Sequence, residues 1–271
     1  MLSESRSRQY PAALSKYHGQ MELPSSPDQG IARLPDHRVA FFGGSFDPPH
    51  CGHLAIARAA QAALNLDAVL FAPVGAQPLK PFGSSASFPD RVAMTRLAIA
   101  GDPSFAVSLV DAPTPTGTPN YTIDTLIHFR AELPFASTLY FLMGADSFLS
   151  IGRWHRAAEI PFVASIVVAS RPGQPLVDLK AALPSGLRVS SAAIPAQEPL
   201  SSSVEENMDQ YLVENGRGES APLFILPALR FDVSASQIRE RIHAPNAPRP
   251  EDAQLLSAAV LTYIRAHHLY R

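Results

Sequence analysis

Residues 39–64 read VAFFGGSFDPPHCGHLAIARAAQAAL. Four apolar residues, Val39 to Phe42, predict a short buried strand, and Gly43 and Gly44 end it. From Gly52 to Leu64 the apolar positions Leu54, Ile56, Ala57, Ala60 and Leu64 fall on one helical face, opposite Arg58 and Gln61. A strand, a glycine turn and an amphipathic helix make the opening unit of a parallel sheet covered by helices. In such folds that turn is where phosphate sits, because the helix amino terminus offers amide donors and a positive dipole end. His50 and His53, three apart at the helix start, add two imidazoles aimed from one face.

The same alternation continues outward. Strands are predicted at 68–72, 105–110, 138–143, 162–169 and 223–226, and helices at 90–100, 121–133, 234–243 and 251–267. The sum is one α/β domain over residues 38–271, a Rossmann-like doubly wound parallel sheet with helices on both faces, whose ligands sit outside the carboxyl ends of the strands. Residues 175–222 are less regular, with six acidic residues against the single Arg217 between Gln197 and Ser220, and read as a surface excursion. Residues 1–37 carry Arg6, Arg8 and Lys16 without an apolar core, interrupted by Glu4, Glu22, Asp28 and Asp36, and read as a flexible extension.

Composition narrows the function classes. The chain has 271 residues, enough for a sizeable core, and 22 Lys plus Arg against 24 Asp plus Glu, a net charge of −2 that excludes a nucleic-acid coat. One cysteine, Cys51, rules out an internal disulfide framework, and no run of 18 apolar residues predicts a membrane span, so a cytoplasmic protein is expected. The 26 prolines are nearly twice the usual share of about 5%. Ten of them, Pro48, Pro49, Pro73, Pro78, Pro81, Pro113, Pro115, Pro119, Pro172 and Pro227, fall in connections on the predicted ligand edge, where a fixed φ limits loop freedom.

Taken alone, His-x-x-His is as readily a surface or core pair as a site, and its place after a strand and two glycines is what argues for an anion. A zinc reading, with His50, Cys51 and His53 as ligands, lacks a second cluster at finger-like spacing. A second phosphate-suited helix start lies far along the chain, where Ser234 and Gln237 form a capping-box pattern and Arg239 falls on the first turns.

Gly43-Gly44-Ser45-Phe46-Asp47-Pro48-Pro49-His50-Cys51-Gly52-His53 resembles the Gly-Gly-Thr-Phe-Asp-Pro-x-His-x-Gly-His signature of nicotinate mononucleotide adenylyltransferases, in the nucleotidyltransferase superfamily with a His-x-Gly-His motif, with Ser45 in place of threonine. Val233-Ser234-Ala235-Ser236-Gln237-Ile238-Arg239 resembles the superfamily's Ile-Ser-Ser-Thr-x-Ile-Arg motif. Gly144-Ala145-Asp146-Ser147 is similar to the family's Gly-x-Asp-Ser, Tyr121-Thr122 to its Tyr-Thr at a helix start, and Trp154 to its ring-stacking tryptophan. Ser170-Arg171-Pro172 is similar to the segment beside adenine, and Leu261 to Arg271 to the family's tail. The loop after the second strand departs from the pattern: Lys80 is kept, but Val74 and Leu79 stand where the family has asparagine and histidine.

The resemblance implies transfer of the adenylyl group of ATP to nicotinate mononucleotide, giving deamido-NAD and pyrophosphate. It implies His50, His53, Lys80 and Arg239 as catalytic groups. ATP would be held by Gly43, Gly44, Ser45, Phe46, Gly52, Gly144, Asp146, Ser170, Arg171, Ser234 and Ser236 besides His50, His53 and Arg239. The mononucleotide would meet Lys80, Tyr121, Thr122, Asp146 and Trp154, and Mg²⁺ would arrive on ATP. The attacking group is a phosphate monoester with a second pKa near 6, largely dianionic at neutral pH, so no general base is required. Two other readings stay open: a superfamily adenylyltransferase for nicotinamide mononucleotide or phosphopantetheine, and a nucleotide-binding module without turnover.

Overall fold

Strand β1 (Arg38–Gly44) pairs in parallel with β2 (Ala68–Pro73) on one side and β4 (Thr138–Gly144) on the other. Its residues Val39 to Phe42 are at most 3% exposed, as a strand covered on both faces requires. The computed structural model describes residues 37–79, 83–170, 176–190, 208–226, 233–243 and 254–270. The remaining elements are α1 (Cys51–Leu64), α2 (Phe88–Ile99), β3 (Phe105–Val107), α3 (Thr122–Glu132), α4 (Ala145–Leu149), α5 (Ile160–Val163), β5 (Ser165–Ala169), α6 (Leu176–Ala181), β6 (Leu187–Ser190), β7 (Asp209–Asn215), β8 (Ser220–Leu226), α7 (Ala235–His243) and α8 (Ala258–Ala266).

The strands form one sheet in the order β3-β2-β1-β4-β5-β8-β7-β6, in which β7 alone runs against the others among the described strands. The chain steps outward from β1 in one direction through β2 and β3, then returns to its other side with β4 and β5. The reversal lies between β1 and β4, and this order opens a crevice at their carboxyl ends, beside Gly44 and Gly144. Phe41, Ile123, Leu126 and Phe141 fill one face of the sheet, while Phe42, Ala57, Ala60 and Phe71 fill the other. A third cluster, of Met94, Ile238, Leu256, Val260 and Ile264, seats α7 and α8 against α2 and so brings the far end of the sequence to the crevice.

The strand expected at 105–110 ends at Val107, and the helix expected at 251–267 begins at Ala258, where Ser257 caps it by accepting from the Val260 amide; three further differences from the sequence reading follow. The strand expected at 162–169 begins only at Ser165, because Pro161, which lacks an N–H, opens the short helix α5 instead. Helix α2 starts at Phe88, where Ser87 caps it by accepting from the Asp90 amide at 3.3 Å. Within the expected surface excursion lie α6 and the strands β6 and β7, which extend the sheet through β8. Those outer strands are half-exposed, so their apolar alternation is diluted by surface residues such as Arg188 and Glu214, which pair across them at 3.1 Å. His37 is already part of the fold, buried with its amide donating to the Ser137 hydroxyl at 3.2 Å. Among the described residues, no helix is long and apolar enough to cross a membrane.

Candidate active site

The loop leaving β1 turns on Phe46, at a positive φ of 48°. That conformation is strained for a bulky side chain, and burial holds it. The Phe46 ring is 1% exposed, edge-on to Phe42 at 5.5 Å and to His53 at 5.0 Å. Although Phe46 is expected among the ATP contacts, its ring lies beneath the loop, so backbone is what it can present to a ligand. Its side chain instead seats His53.

His50 occupies the cap position of α1 in extended conformation. Its backbone N–H donates to Nδ1 of His53 at 3.1 Å, and the two rings lie 3.8 Å apart. Burial, and secondarily the neighbouring His50, push the His53 pKa well below the ordinary imidazole range. His53 is therefore neutral at rest, and because Nδ1 accepts, the ring proton sits on Nε2. A neutral donor beside the helix start is the outcome. Gly52 is fixed by close approach: a Cβ there would lie 3.0 Å from His50 Nδ1. The Cys51 thiol is pushed up by burial, which opposes the thiolate a metal would need.

Asp47 joins distant parts of the chain. Its carboxylate accepts from the amides of Ser85 (2.6 Å) and Ala86 (3.0 Å) and from the Tyr270 hydroxyl (2.7 Å). Its main-chain oxygen accepts from Nη1 of Arg239 at 2.7 Å, across 192 positions of sequence. Arg239 also donates from Nη2 to the Ser236 hydroxyl at 3.1 Å. The expected capping box is present, with the Ser234 amide donating to Gln237 Oε1 (2.9 Å) and the Gln237 amide to Ser234 Oγ (3.2 Å). The two phosphate-suited helix starts are thus one assembly.

The loop after β2 is tied to the loop after β1 by a cation absent from the sequence reading. Arg91, 2% exposed, donates from Nη1 to the Ser45 carbonyl (2.7 Å) and from Nη2 to the Val74 carbonyl (2.8 Å). Val74 is core, while Leu79 is 47% exposed on the cavity rim, and the polar reach of the loop passes to Gln77, whose Oε1 accepts from the Ser45 hydroxyl at 3.2 Å. Gly75 passes so close to the next connection that a Cβ would lie 2.4 Å from the Pro113 nitrogen, so only glycine fits. Asn120 fastens the same crossing, accepting from the Ala76 amide and donating to the Ala112 carbonyl, each at 3.0 Å.

At the opposite end of the crevice, Tyr121 caps α3 and its ring lies 4.4 Å from that of His155. Trp154 is half-buried 6.2 Å from Phe141, its indole N–H donating to the Ser150 hydroxyl at 3.2 Å. In the first turn of α3 the Asp124 amide donates to the Tyr121 carbonyl at 3.0 Å, and the Thr122 and Ile123 amides ahead of it are the ones a helix start offers to an anion. Behind them Asp111 is buried and accepts from the Thr125 hydroxyl, and burial raises its pKa to about 6. A raised carboxyl pKa means the folded state holds the proton longer than the unfolded one, so this group's contribution to stability falls as pH rises from about 4 to 6. Asp111→Asn is expected to abolish that decline and to raise the melting temperature near pH 7.5, measured by thermal unfolding from pH 4 to 8.

One cavity of about 950 Å³ connects the two ends, running from His50, His53, Ser234, Ser236 and Arg239 past Gly144 and Asp146 to Thr122 and Trp154. Its size suits a pair of nucleotides rather than one small anion. The cytidylyltransferase-like family matches residues 41–241. A curated relative from Trichlorobacter lovleyi, named a probable nicotinate-nucleotide adenylyltransferase, is 35% identical over 209 residues, covering 76% of this chain and 87% of its own. One of the same name from Solibacter usitatus is 34% identical over 233 residues, covering 86% and 99%. This chain belongs to the nicotinate-nucleotide adenylyltransferase family. The nicotinic acid mononucleotide adenylyltransferase of Plasmodium falciparum, solved with NaAD, shares the fold at a TM-score of 0.61 and 14% identity, covering 86% of this chain and 97% of its own.

As a nicotinate-nucleotide adenylyltransferase, the chain gathers most of the expected site residues around one cavity: Gly43, Gly44, Ser45, Gly52, Asp146 and Ser170 line it with the groups above. Ser170 also bridges β5 to β8, its hydroxyl donating to the Leu226 carbonyl at 2.9 Å. Lys80 and Arg171 lie outside the described residues. The sequence reading passes over Asp47 and Gln77 as site residues, and over Arg91 and His155 altogether. Asp47 stands inside the quoted signature and was available as a signal. Arg91 was not, since nothing local marks one arginine of an amphipathic helix as buried.

Proposed function

We propose that this enzyme transfers the adenylyl group of ATP to nicotinate mononucleotide, releasing pyrophosphate and giving deamido-NAD. The observation that carries this reading is the Arg239 to Asp47 hydrogen bond, which sets both phosphate-suited helix starts at one end of a cavity whose other end is aromatic. The curated relatives' name supports the same substrate. In this reading an oxygen of the mononucleotide phosphate attacks the α-phosphorus in line, the bond from that phosphorus to the bridging oxygen breaks, and pyrophosphate leaves with the electron pair. The phosphate dianion is its own nucleophile. The protein's task is alignment and charge neutralisation.

His53 Nε2–H and the positive dipole end of α1 face the α-phosphate oxygens, where negative charge concentrates during transfer; the Cys51 and His53 amides are themselves taken by the Leu255 and His50 carbonyls. His50 fixes the His53 tautomer through its amide and closes the same corner. Ser234, Ser236 and Arg239 hold the departing pyrophosphate, with Lys80 as a further cation. Tyr121, Thr122 and Trp154 receive the pyridine end, and Asp146 accepts from a ribose hydroxyl. Mg²⁺ takes few protein carboxylates and prefers phosphate and water oxygens; with Asp47 and Asp111 hydrogen-bonded within the protein, the triphosphate supplies its ligands. When bound, it offsets charge on ATP.

Pyrophosphate release, measured with ATP and each of nicotinate mononucleotide, nicotinamide mononucleotide and phosphopantetheine, tests the assignment. Turnover with the nicotinate substrate is expected to dominate. Preference for another acceptor, or ATP binding without release, would replace it with one of the other two readings. Trp154→Ala is expected to raise KM for the mononucleotide about 10-fold, the scale of a lost stacking contact, with KM for ATP within about twofold. Equal losses for both substrates would remove Trp154 from the pyridine end.

A further inference from the structure

The Asp47 carboxylate is 4% exposed and lies among three groups that face it from separate parts of the fold: Arg91 of α2, Arg239 of α7, and Tyr270 in the turn beyond α8. The turn that delivers Tyr270 is conformationally costly. His268 and Tyr270 both have positive φ, 53° and 63°, unusual for residues with side chains and strained by about 1 to 2 kcal/mol each. The end of that turn is the Tyr270 hydroxyl, donating to Asp47 Oδ1 at 2.7 Å. Asp47 Oδ2, held by the Ser85 amide at 2.6 Å, stays 3.9 Å from the Arg239 guanidinium, too far to hydrogen-bond it. Arg239 consequently bonds the Asp47 main-chain oxygen and keeps its charge toward the cavity, which it lines.

We infer that Tyr270 is a positioning residue for the pyrophosphate end of the site: by holding the Asp47 carboxylate at a loose 3.9 Å from Arg239, short of a hydrogen bond, it leaves the Arg239 N–H groups on the cavity side to grip the leaving group. Without the hydroxyl, Oδ1 keeps only the Ala86 amide, and the carboxylate can tighten its present 3.9 Å ion pair with Arg239 into a direct hydrogen-bonded one. The guanidinium is then drawn off the phosphate position. Burial and the adjacent carboxylate push the Tyr270 pKa far above the ordinary phenol range, so the hydroxyl remains a donor at every working pH. This rests on the reading that Arg239 holds pyrophosphate.

The same segment contains its own control. Tyr263 of α8 donates to Asp90 at 3.0 Å, a second tyrosine to aspartate bond in the same packing layer but remote from the cavity. Tyr270→Phe is expected to raise the pyrophosphate inhibition constant and KM for ATP by about 5- to 10-fold, the loss of one hydrogen bond to a charged group, while KM for nicotinate mononucleotide stays within about twofold. Tyr263→Phe should move none of the three. In the Tyr270→Phe, Asp47→Asn double variant no carboxylate remains to capture Arg239, so its pyrophosphate inhibition constant should lie below that of Tyr270→Phe alone; a double variant as weak as Tyr270→Phe or weaker overturns the capture mechanism. Pyrophosphate inhibition unchanged in Tyr270→Phe, or equally altered in Tyr263→Phe, overturns the proposal. If the parent chain releases no pyrophosphate from ATP and nicotinate mononucleotide, the functional reading fails first, and the two failures are distinct.

Discussion

His53→Ala is expected to lower kcat by about 10²- to 10³-fold with KM for ATP changed severalfold at most, the scale for removing one donor aimed at charge that develops in the transition state. The expectation follows from the tautomer. Nδ1 accepts the His50 amide, so the ring cannot turn its proton elsewhere without breaking that bond, and the packing of Phe46 edge-on at 5.0 Å holds the ring plane. The depressed pKa means that the donor is a neutral imidazole before ATP arrives. Binding a polyanion raises that pKa toward neutrality, so protonation becomes coupled to substrate binding. Single-turnover measurements separate the chemical step from binding, and near-normal turnover in the variant would remove His53 from the reaction. His53→Gln, which keeps an N–H donor near the Nε2 position, is expected to recover part of the loss.

Arg91→Met is expected to destabilise the fold by about 2 to 5 kcal/mol, because two buried carbonyls, of Ser45 and Val74, lose their donor while the side-chain volume is only partly replaced. For a domain of this size that corresponds to a melting temperature lower by about 10 °C. Arg91→Lys should recover little, since an ammonium on a flexible stem does not reproduce a planar fork spanning two carbonyls. In whatever fraction stays folded, the loops after β1 and β2 are no longer held in one register, so KM should rise for both substrates together. A rise confined to one substrate would mean that Arg91 serves only one of these loops. Thermal unfolding and steady-state kinetics on the same preparations decide between these outcomes.

What was legible in the sequence and what was not divide along a physical line. The turn from Gly43 to His53, the capping box at Ser234 and Gln237 and the helix start at Tyr121 are local patterns, and the structure forms each of them. Asp47, Arg91 and Tyr270 do their work through partners 17 to 223 positions away, and no helical or strand period links the two ends of such a contact. The sheet shows the same division. Buried central strands such as β1 and β4 announce themselves as apolar runs, whereas β6 and β7, exposed along the outer edge, carry Arg188, Glu214 and Asp209 among their apolar residues and merge with the surrounding polar sequence. Pro161 is the opposite case, a local signal present in the sequence but outweighed in the reading by the Val and Ile run that follows it.

The bond between Arg239 and Asp47 also bears on the order in which the protein becomes competent. Ribosomes deliver Asp47 early and Arg239 late, and the loop between them spans 192 residues. Closing so long a loop is entropically unfavourable, and the third core cluster around Met94, Ile238 and Val260 must form to offset it. A nascent chain therefore displays only one of the two helix starts for most of its synthesis. On the proposed function, ATP touches both halves once they meet, adds its binding free energy to the joined state alone and acts as a reversible staple across that long-range contact.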